Sequence, residues 1–392
     1  MRAWKCVNPL AALHSVQDLG LRTRDFFSNM SIAATIKPDL AGLLPEDAQA
    51  VLQEHFARRG QAKYRAAQVL KWVYERLAGE FDEMTDLPAA ERAALKESFD
   101  LTSPAVAKLS RSVDGTAKHL WRLKDGELIE SVLIPTPSRL TLCISSQAGC
   151  AMACSFCATG WAGYRRQLGP GEIVSQYRGA RRWARDNGYG EISNIVFMGM
   201  GEPLMNPKSL FPTLAILNRG YGVGARRITV STVGVVPGIL QMAEMPEQYR
   251  LAVSLHAPNH ELRQKLIPLE KKYPLPVLLD ALRRFDEAGG KRITFEYVMI
   301  DGVTDLPGLA EELAEVIGEF KAFVNLIPFN PIPGTDWQPS KRARLNHFVE
   351  VLEGHGIPAA VRESRGRDIA AACGQLRAEA TEGRKPVQIG SL

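Results

Sequence analysis

The feature that most limits what this 392-residue chain can fold into is an alternation that fills its second half. Apolar β-type runs stand at 139–145, 192–198, 227–233, 251–255, 293–300 and 323–329. Helical patterns follow them near 172–186, 208–219, 236–245, 275–289, 306–319 and 341–354. Repetition of this kind predicts a parallel sheet with helices packed outside it. Six β/α units predict a partial barrel, since eight-fold closure needs more chain, and a doubly wound sheet is the competing architecture. In either fold, ligands belong at the C-terminal ends of the strands.

Composition narrows the class of protein. At 45% hydrophobic residues the chain can fill a large α/β domain and a smaller one. Its apolar stretches are short and interrupted by charges, so a soluble, non-membrane protein is expected. The net charge of +5 fits a polyanionic partner without establishing one. Three of only six cysteines sit in one tight cluster, which argues for a reducing cytoplasm and against a secreted disulfide framework.

Ahead of the repeat the chain divides into three further parts. Residues 1–40 have no sustained periodicity and predict a poorly structured extension; a targeting peptide and a start at Met30 are both open readings, and Cys6 is incidental. Residues 41–100 turn helical, with Pro45-Glu46-Asp47 opening an acidic first turn and Ala66, Val69, Leu70, Val73 and Leu77 on one face. Arg58, Arg59, Lys63, Arg65 and Lys71 in this small domain suit either phosphates or plain solvation. Residues 101–135 read as a β meander with a turn at Asp125-Gly126, and Glu130 interrupts an apolar strand there. The barrel domain then spans 136–376, with a tail over 377–392.

Chemistry concentrates in the loop after the first strand of the repeat. Cys150, Cys154 and Cys157 are spaced Cys-x3-Cys-x2-Cys, with Phe156 before the last and no fourth cysteine nearby. Structural zinc sites close with four ligands, so zinc would need a distant His. Iron-sulfur cubanes usually take four thiolates, and a three-thiolate loop leaves one iron open to a small chelating ligand. One unit later, Met198-Gly-Met-Gly-Glu-Pro203 offers Gly199 and Gly201 for close backbone approach or positive φ, and Glu202 as an acceptor for an ammonium group. Ser231, Ser254-Leu255-His256 and Asn330 end later strands; each alone is an ordinary turn residue, but together they line one mouth. On the helix at 172–186, Arg178, Arg181, Arg182 and Arg185 lie opposite an apolar face, and with Arg165 and Arg166 they make a basic strip. Solvation is the plainer explanation, and the excess of arginine tilts the strip toward RNA. Cys373, among alanines near the C-terminus, is usually the kind of cysteine that packs as a small hydrophobe; Gly374 leaves one side of it open, and Cys143 is a candidate partner.

The cysteine loop resembles the radical S-adenosylmethionine superfamily. Cys143-Ile-Ser-Ser-Gln-Ala-Gly-Cys150 with its following cysteines, the Gly-Met-Gly-Glu-Pro turn, Ser254-Leu-His-Ala257 and Ala371-Ala-Cys-Gly-Gln-Leu376 resemble the RlmN family of adenosine C2 methyltransferases, over roughly 43–376. Tyr64-Arg-Ala-Ala-Gln-Val-Leu-Lys-Trp72 and Met84-Thr-Asp-Leu87 resemble that family's accessory RNA-binding domain. Val233 departs from a common Ser, and Trp161-Ala-Gly-Tyr164 varies the loop after the cluster. The resemblance implies a [4Fe-4S] cluster on Cys150, Cys154 and Cys157, and S-adenosyl-L-methionine held by Gly201, Glu202, Ser231, Ser254, Leu255, His256 and Asn330. It implies two molecules of S-adenosyl-L-methionine per turnover, one methylating Cys373 and the other giving the radical that activates this methyl for attack on C2. Glu130 is then the base for the C2 proton, and Cys143 the thiol that releases product and leaves a disulfide. The implied partners are 23S rRNA in its peptidyl-transferase region, certain tRNAs at the adenosine beside the anticodon, and an electron donor such as flavodoxin, with the enzyme a monomer. Two rival readings are a C8-methylating, antibiotic-resistance relative and a non-catalytic zinc and RNA-binding protein.

Overall fold

The computed structural model describes residues 37–289 and 293–378. The expectations for Cys6, for a start at Met30, for most of the N-terminal extension and for the tail beyond Ala378 lie outside the described residues.

Helices α1 (Pro45–Arg58), α2 (Tyr64–Tyr74) and α3 (Ala89–Ser98) form the small helical region. Proline at its N-terminus and the acidic pair Glu46 and Asp47 favour the start of α1, since that end tolerates a missing N–H and carries partial positive charge. Leu52, Phe56, Val69, Val73, Phe81 and Leu95 close a separate small core. The face expected for α2 holds through Val73, but the helix ends at Tyr74. Leu77 lies beyond it with φ 59° and packs into the main core.

Four antiparallel strands follow: β1 (Ala105–Arg111), β2 (Ala117–Arg122), β3 (Leu128–Thr136) and β4 (Arg139–Cys143). Gly126 takes φ 86° in the expected Asp125-Gly126 turn. The meander is hydrogen-bonded directly onto the barrel strands. A two-stranded ribbon, β5 (Gln147–Gly149) and β6 (Tyr164–Gln167), brackets the cysteine loop and α4 (Ala158–Ala162).

Then α5 (Pro170–Asp186) leads to alternating elements: β7 (Asn194–Phe197), α6 (Pro207–Ala215), β8 (Ile228–Thr232), α7 (Val236–Ala243), β9 (Arg250–Ser254), α8 (His260–Leu266), α9 (Leu275–Glu287) and β10 (Ile293–Met299). The chain continues through α10 (Leu309–Ile317), β11 (Phe323–Pro328), α11 (Arg342–Gly354) and β12 (Ala359–Val361). The sheet order is β1-β2-β3-β4-β7-β8-β9-β10-β11-β12, with every pair from β4 onward parallel. All six expected strands are present, in an open sheet. The seventh parallel strand, β12, is three residues long and carries too little pattern to read in advance.

Register decides which side chains meet. Thr141 pairs with Asn194, Val196 with Thr229, Ser231 with Ala252, Ser254 with Glu296, and Val298 with Ile327. Because alternate residues face opposite sides, these form one continuous inner surface. Their neighbours Leu142, Ile195, Val230, Val253, Phe295 and Val324 face the helices and are fully buried.

Candidate active site

The cysteine loop is shaped by its own backbone. Ala153 takes φ 51°, and a Cβ at Gly160 would stand 3.1 Å from the Cys154 amide nitrogen. Cys150 N–H donates to Gly163 O (3.0 Å), Ser155 N–H to Leu266 O (3.0 Å) and Cys157 N–H to Cys154 O (3.2 Å). The loop thus rests on the end of α8 and on β6. All three thiols line one cleft at the C-terminal ends of the strands, a space of about 970 Å³. Burial pushes the Cys150 thiol up to about 12 and Cys154 well above the ordinary thiol range, with the neighbouring sulfurs adding to both. Buried thiols crowded in this way gain from shedding their protons to metal. Among the described residues no three His, Cys, Asp or Glu side chains converge as a single-ion site. A cubane spreads its thiolates over different irons, so these three thiols would suit such a cluster and leave one iron without a protein thiolate.

Glu202, Gly201, Ser231, Ser254, His256 and Asn330 line the same cleft. Glu202 is 3% exposed, and its carboxylate accepts the N–H of Leu204 (3.2 Å) and of Val233 (2.9 Å). Burial raises its pKa to about 7, with these bonds opposing the rise. A buried carboxylate on a cleft wall, with no basic side chain bonded to it among the described residues, fits the ammonium group of a methionine moiety. The two glycines answer to the chain itself. A Cβ on Gly199 would meet Ile144 O at 2.6 Å, and one on Gly201, at φ 100°, would meet the Gln147 side chain at 2.5 Å. Their absent side chains therefore let this turn pack against the segment after β4.

His256 is buried at φ 58°, and its Nδ1 accepts the Val298 N–H at 3.0 Å, which leaves the proton on Nε2. Burial lowers its pKa to about 3, so the ring stays neutral. Its edge meets Phe156 of the cysteine loop, with ring centroids 4.5 Å apart. Leu255 differs from the expectation for a lining residue. Its side chain is fully buried in the main core, it is not among the cleft-lining residues, and its carbonyl accepts from Arg263 Nε (3.2 Å). Arg263, itself buried, also donates to Val233 O (2.6 Å) and pairs with buried Glu270, tying two strand ends to α8. Nothing in the sequence marked this pair.

Cys373 is held in place by its neighbours. Asn330 Nδ2 donates to Cys373 O (3.1 Å), Ala158 N–H to Gly374 O (2.7 Å), and Thr159 Oγ1 to Leu376 O. Gly374, at φ 83°, has Phe156 O 3.1 Å from where its Cβ would stand, so it admits the loop backbone as well as leaving space. Cys143 and Cys373 border one cavity and are free thiols. Burial, then the nearby Cys373, raises Cys143 to about 12. Arg362, just past β12, stands near both sulfurs and Glu296, whose proximity raises its pKa against the effect of burial. Arg362 lies in the basic segment Arg362-Glu-Ser-Arg-Gly-Arg367, and its place beside the two thiols was not expected from the sequence.

Glu130 lies on the inner face of the sheet, since its parity matches Val132, which pairs with Cys143. It is 2% exposed and ion-paired to Lys118 (2.9 Å), and it accepts the N–H of Arg377 (2.9 Å) and Ala378 (3.1 Å). Neither the lysine nor the C-terminal segment was anticipated.

Within the arginine strip on α5, Arg178 is a correction, while Arg165, Arg182 and Arg185 are exposed as expected. Arg178 is buried and donates to Thr102 O (3.0 Å) and to Ala78 O, pinning α5 to the helical region. Arg166 pairs with Asp125 and Glu172, Arg181 with Glu191, and Arg182 with Glu83. Helical spacing alone could not show that a second region covers this side of α5.

Residues 144–313 match the Radical SAM superfamily, and residues 43–101 match the ribosomal RNA large subunit methyltransferase N-terminal domain. The chain is 50% identical over 355 residues to the probable dual-specificity RNA methyltransferase RlmN of Gemmatimonas aurantiaca, covering 90% of this chain and 97% of that one. With the dual-specificity RNA methyltransferase RlmN of Alkalilimnicola ehrlichii it shares 46% over 338 residues, 85% of this chain and 93% of the relative. The crystal structure of a radical SAM methyltransferase from Sphaerobacter thermophilus superposes with a TM-score of 0.83 at 47% identity, covering 87% of this chain and all of that one. The chain belongs to the RlmN family of radical SAM RNA methyltransferases.

Proposed function

We propose that this enzyme methylates C2 of adenosine in 23S rRNA and in certain tRNAs, with Cys373 carrying the methyl group. The observation that carries the reading is Cys373 itself, which borders both the cofactor cleft and the cavity holding Cys143. A methyltransferase working by simple displacement needs neither thiol, and adenine C2 is not a nucleophile.

Cys150, Cys154 and Cys157 hold the cluster. Glu202 faces the ammonium of S-adenosylmethionine, while Gly201, Ser231, Ser254, His256 and Asn330 form the rest of its pocket. When bound, cluster and S-adenosylmethionine, two molecules of the latter per turnover, supply the methyl group and the power to abstract hydrogen from it. Cys373 accepts the methyl as a thiolate, with Arg362 beside it, and it holds the carbon against the adenine through the new bond to C2. Glu130 removes the C2 proton as the adduct gives up its one unpaired electron, which the cluster, when present, would take back. Its carboxylate is bonded to Lys118 and to the main chain at 377–378, so RNA binding has to exchange those two N–H donors. Cys143 then attacks the Cys373 sulfur, the sulfur–carbon bond breaks toward carbon, which takes a proton, and a Cys143–Cys373 disulfide remains.

The helical region supports rRNA as a substrate through its match to a ribosomal RNA methyltransferase domain, and the dual-specificity name of the relatives is in keeping with a second RNA class. Anaerobic reaction of the reduced, cluster-loaded enzyme with a 23S rRNA fragment and with tRNA, followed by nucleoside mass spectrometry, tests the reading. 2-Methyladenosine is expected from both. 8-Methyladenosine would move the enzyme to the C8 branch, and no methyladenosine would overturn the assignment.

A further inference from the structure

The inner surface of the sheet continues below the two thiols, where the methyl transfer has no use for it. The geometry points to this lumen as the path by which a small anionic thiol reduces the Cys143–Cys373 disulfide after each turnover, an inference that rests on the two-cysteine reading above.

Closed β/α barrels fill their interior with branched apolar side chains. Here the inward positions at the N-terminal ends of the strands carry Arg139, Thr141, Asn194, Thr229, Thr294 and Asn325, around a space of about 1980 Å³. These residues are exposed or half-buried, whereas the helix-facing Leu142, Ile195, Ile228 and Val324 are fully buried. Val196, Phe323 and Ile327 lie among these polar side chains, so the lining is mixed rather than the all-apolar packing of a filled barrel. Cys373 borders both this lumen and the cofactor cleft, and Cys143 borders the lumen alone. A disulfide between them is therefore reachable from below while the cofactor end stays filled.

Depth and charge select the reductant. From Arg139 to Cys143 strand β4 rises about 13 Å. A tripeptide-sized thiol spans that distance. Four arginines, Arg139, Arg250, Arg362 and Arg365, line the lumen against Glu296 and Glu363, which favours a thiol bearing carboxylates. In the step itself one external thiolate attacks a disulfide sulfur, the S–S bond breaks, and the second cysteine leaves as a thiolate beside Arg362. A second external thiol resolves the mixed disulfide. Two external thiols give up two electrons and become their own disulfide, and their protons restore both cysteines.

The test uses holoenzyme carrying the disulfide after one anaerobic turnover on tRNA, verified by peptide mass. Recovery of thiols is followed with glutathione and with uncharged 2-mercaptoethanol. Thr229→Phe, which fills the tube away from the thiols, is expected to slow reduction by glutathione roughly tenfold or more. Single-turnover methylation should be unchanged. Should the bulky variant not fold, Arg139→Glu at the exposed mouth carries the test: glutathione should slow several-fold and 2-mercaptoethanol not at all. Reduction of the folded variants at the unmodified rate overturns the path and leaves the two-cysteine reading standing. Two free thiols after a completed turnover remove the reading and the path together.

Discussion

The two faces of the parallel strands differ more than any two domains of the chain. Toward the helices stand Leu142, Ile195, Phe197, Val230, Val253 and Phe295, essentially without exposure. Toward the lumen, at alternate positions of the same strands, stand Cys143, Asn194, Met198, Ser231, Ser254 and Glu296, most of them half-buried. One face removes apolar surface from water and holds the fold; the other keeps polar atoms, thiols and carboxylates available to ligands. The separation implies that substitutions on the inner face should remove chemistry and leave folding intact, and that substitutions outside should do the reverse.

The largest effect is expected inside. Replacing Cys150, Cys154 and Cys157 together with Ala should abolish iron and acid-labile sulfide binding and bring methyl transfer to background. Retention of full iron and sulfide by the anaerobically prepared variant would break the assignment. Next comes Glu202→Gln, expected to weaken S-adenosylmethionine binding by about 2 kcal/mol, roughly thirtyfold in Kd, as a buried ammonium loses its charge partner. Titration calorimetry measures it. The pH dependence has a definite sign. Burial raises the Glu202 carboxyl from 4.5 to about 7, so its contribution to folding is fully present below about pH 4.5 and lost as pH rises through about 7. Ammonium binding needs the charged form and should weaken as pH falls through that same value.

Outside, Arg178→Ala should cost about 2–3 kcal/mol of stability, because the carbonyls of Ala78 and Thr102 lose a buried donor. Thermal unfolding should report this, with kcat on RNA unchanged; a selective loss of RNA affinity would restore Arg178 to the interface. A second outer effect shows only in acid and concerns His119, fully buried in β2 and stacked on Trp121 with centroids 4.8 Å apart. Burial, then Arg111, lowers its pKa to about 4. Its contribution to stability is present above about pH 6.5 and declines as pH falls toward about 4, by ~3 kcal/mol at most. His119→Phe should flatten that part of the stability profile.

The inner and outer faces also differ in how well the sequence announces them. Strand-helix alternation locates every helix-facing core strand except β12, whose three residues carry no periodic signal. The cysteine spacing and the strand-end serines point to the cleft because ligand residues there are local in sequence. Pairings between distant segments leave no such mark: Lys118 with Glu130, Arg362 beside Cys143 and Cys373, and the main chain at 377–378 over Glu130 all depend on register and on a returning C-terminal segment. Arg178 misled for the same reason. An amphipathic pattern fixes which side of α5 faces the sheet, and it is silent on the helical region that packs against the remainder.

The division of labour between the thiols is tested most directly by Cys143→Ala during anaerobic turnover, read on denaturing gels before and after nuclease. If Cys373 carries the carbon to adenine and Cys143 releases it, the variant stalls after carbon–carbon bond formation. A covalent RNA–protein band that nuclease collapses should then accumulate, and it should be absent when Cys373 is also replaced by Ala. Normal multiple turnover by the Cys143→Ala enzyme, with no nuclease-sensitive band, would contradict the two-thiol route and return Cys143 to a buried position at the end of a strand.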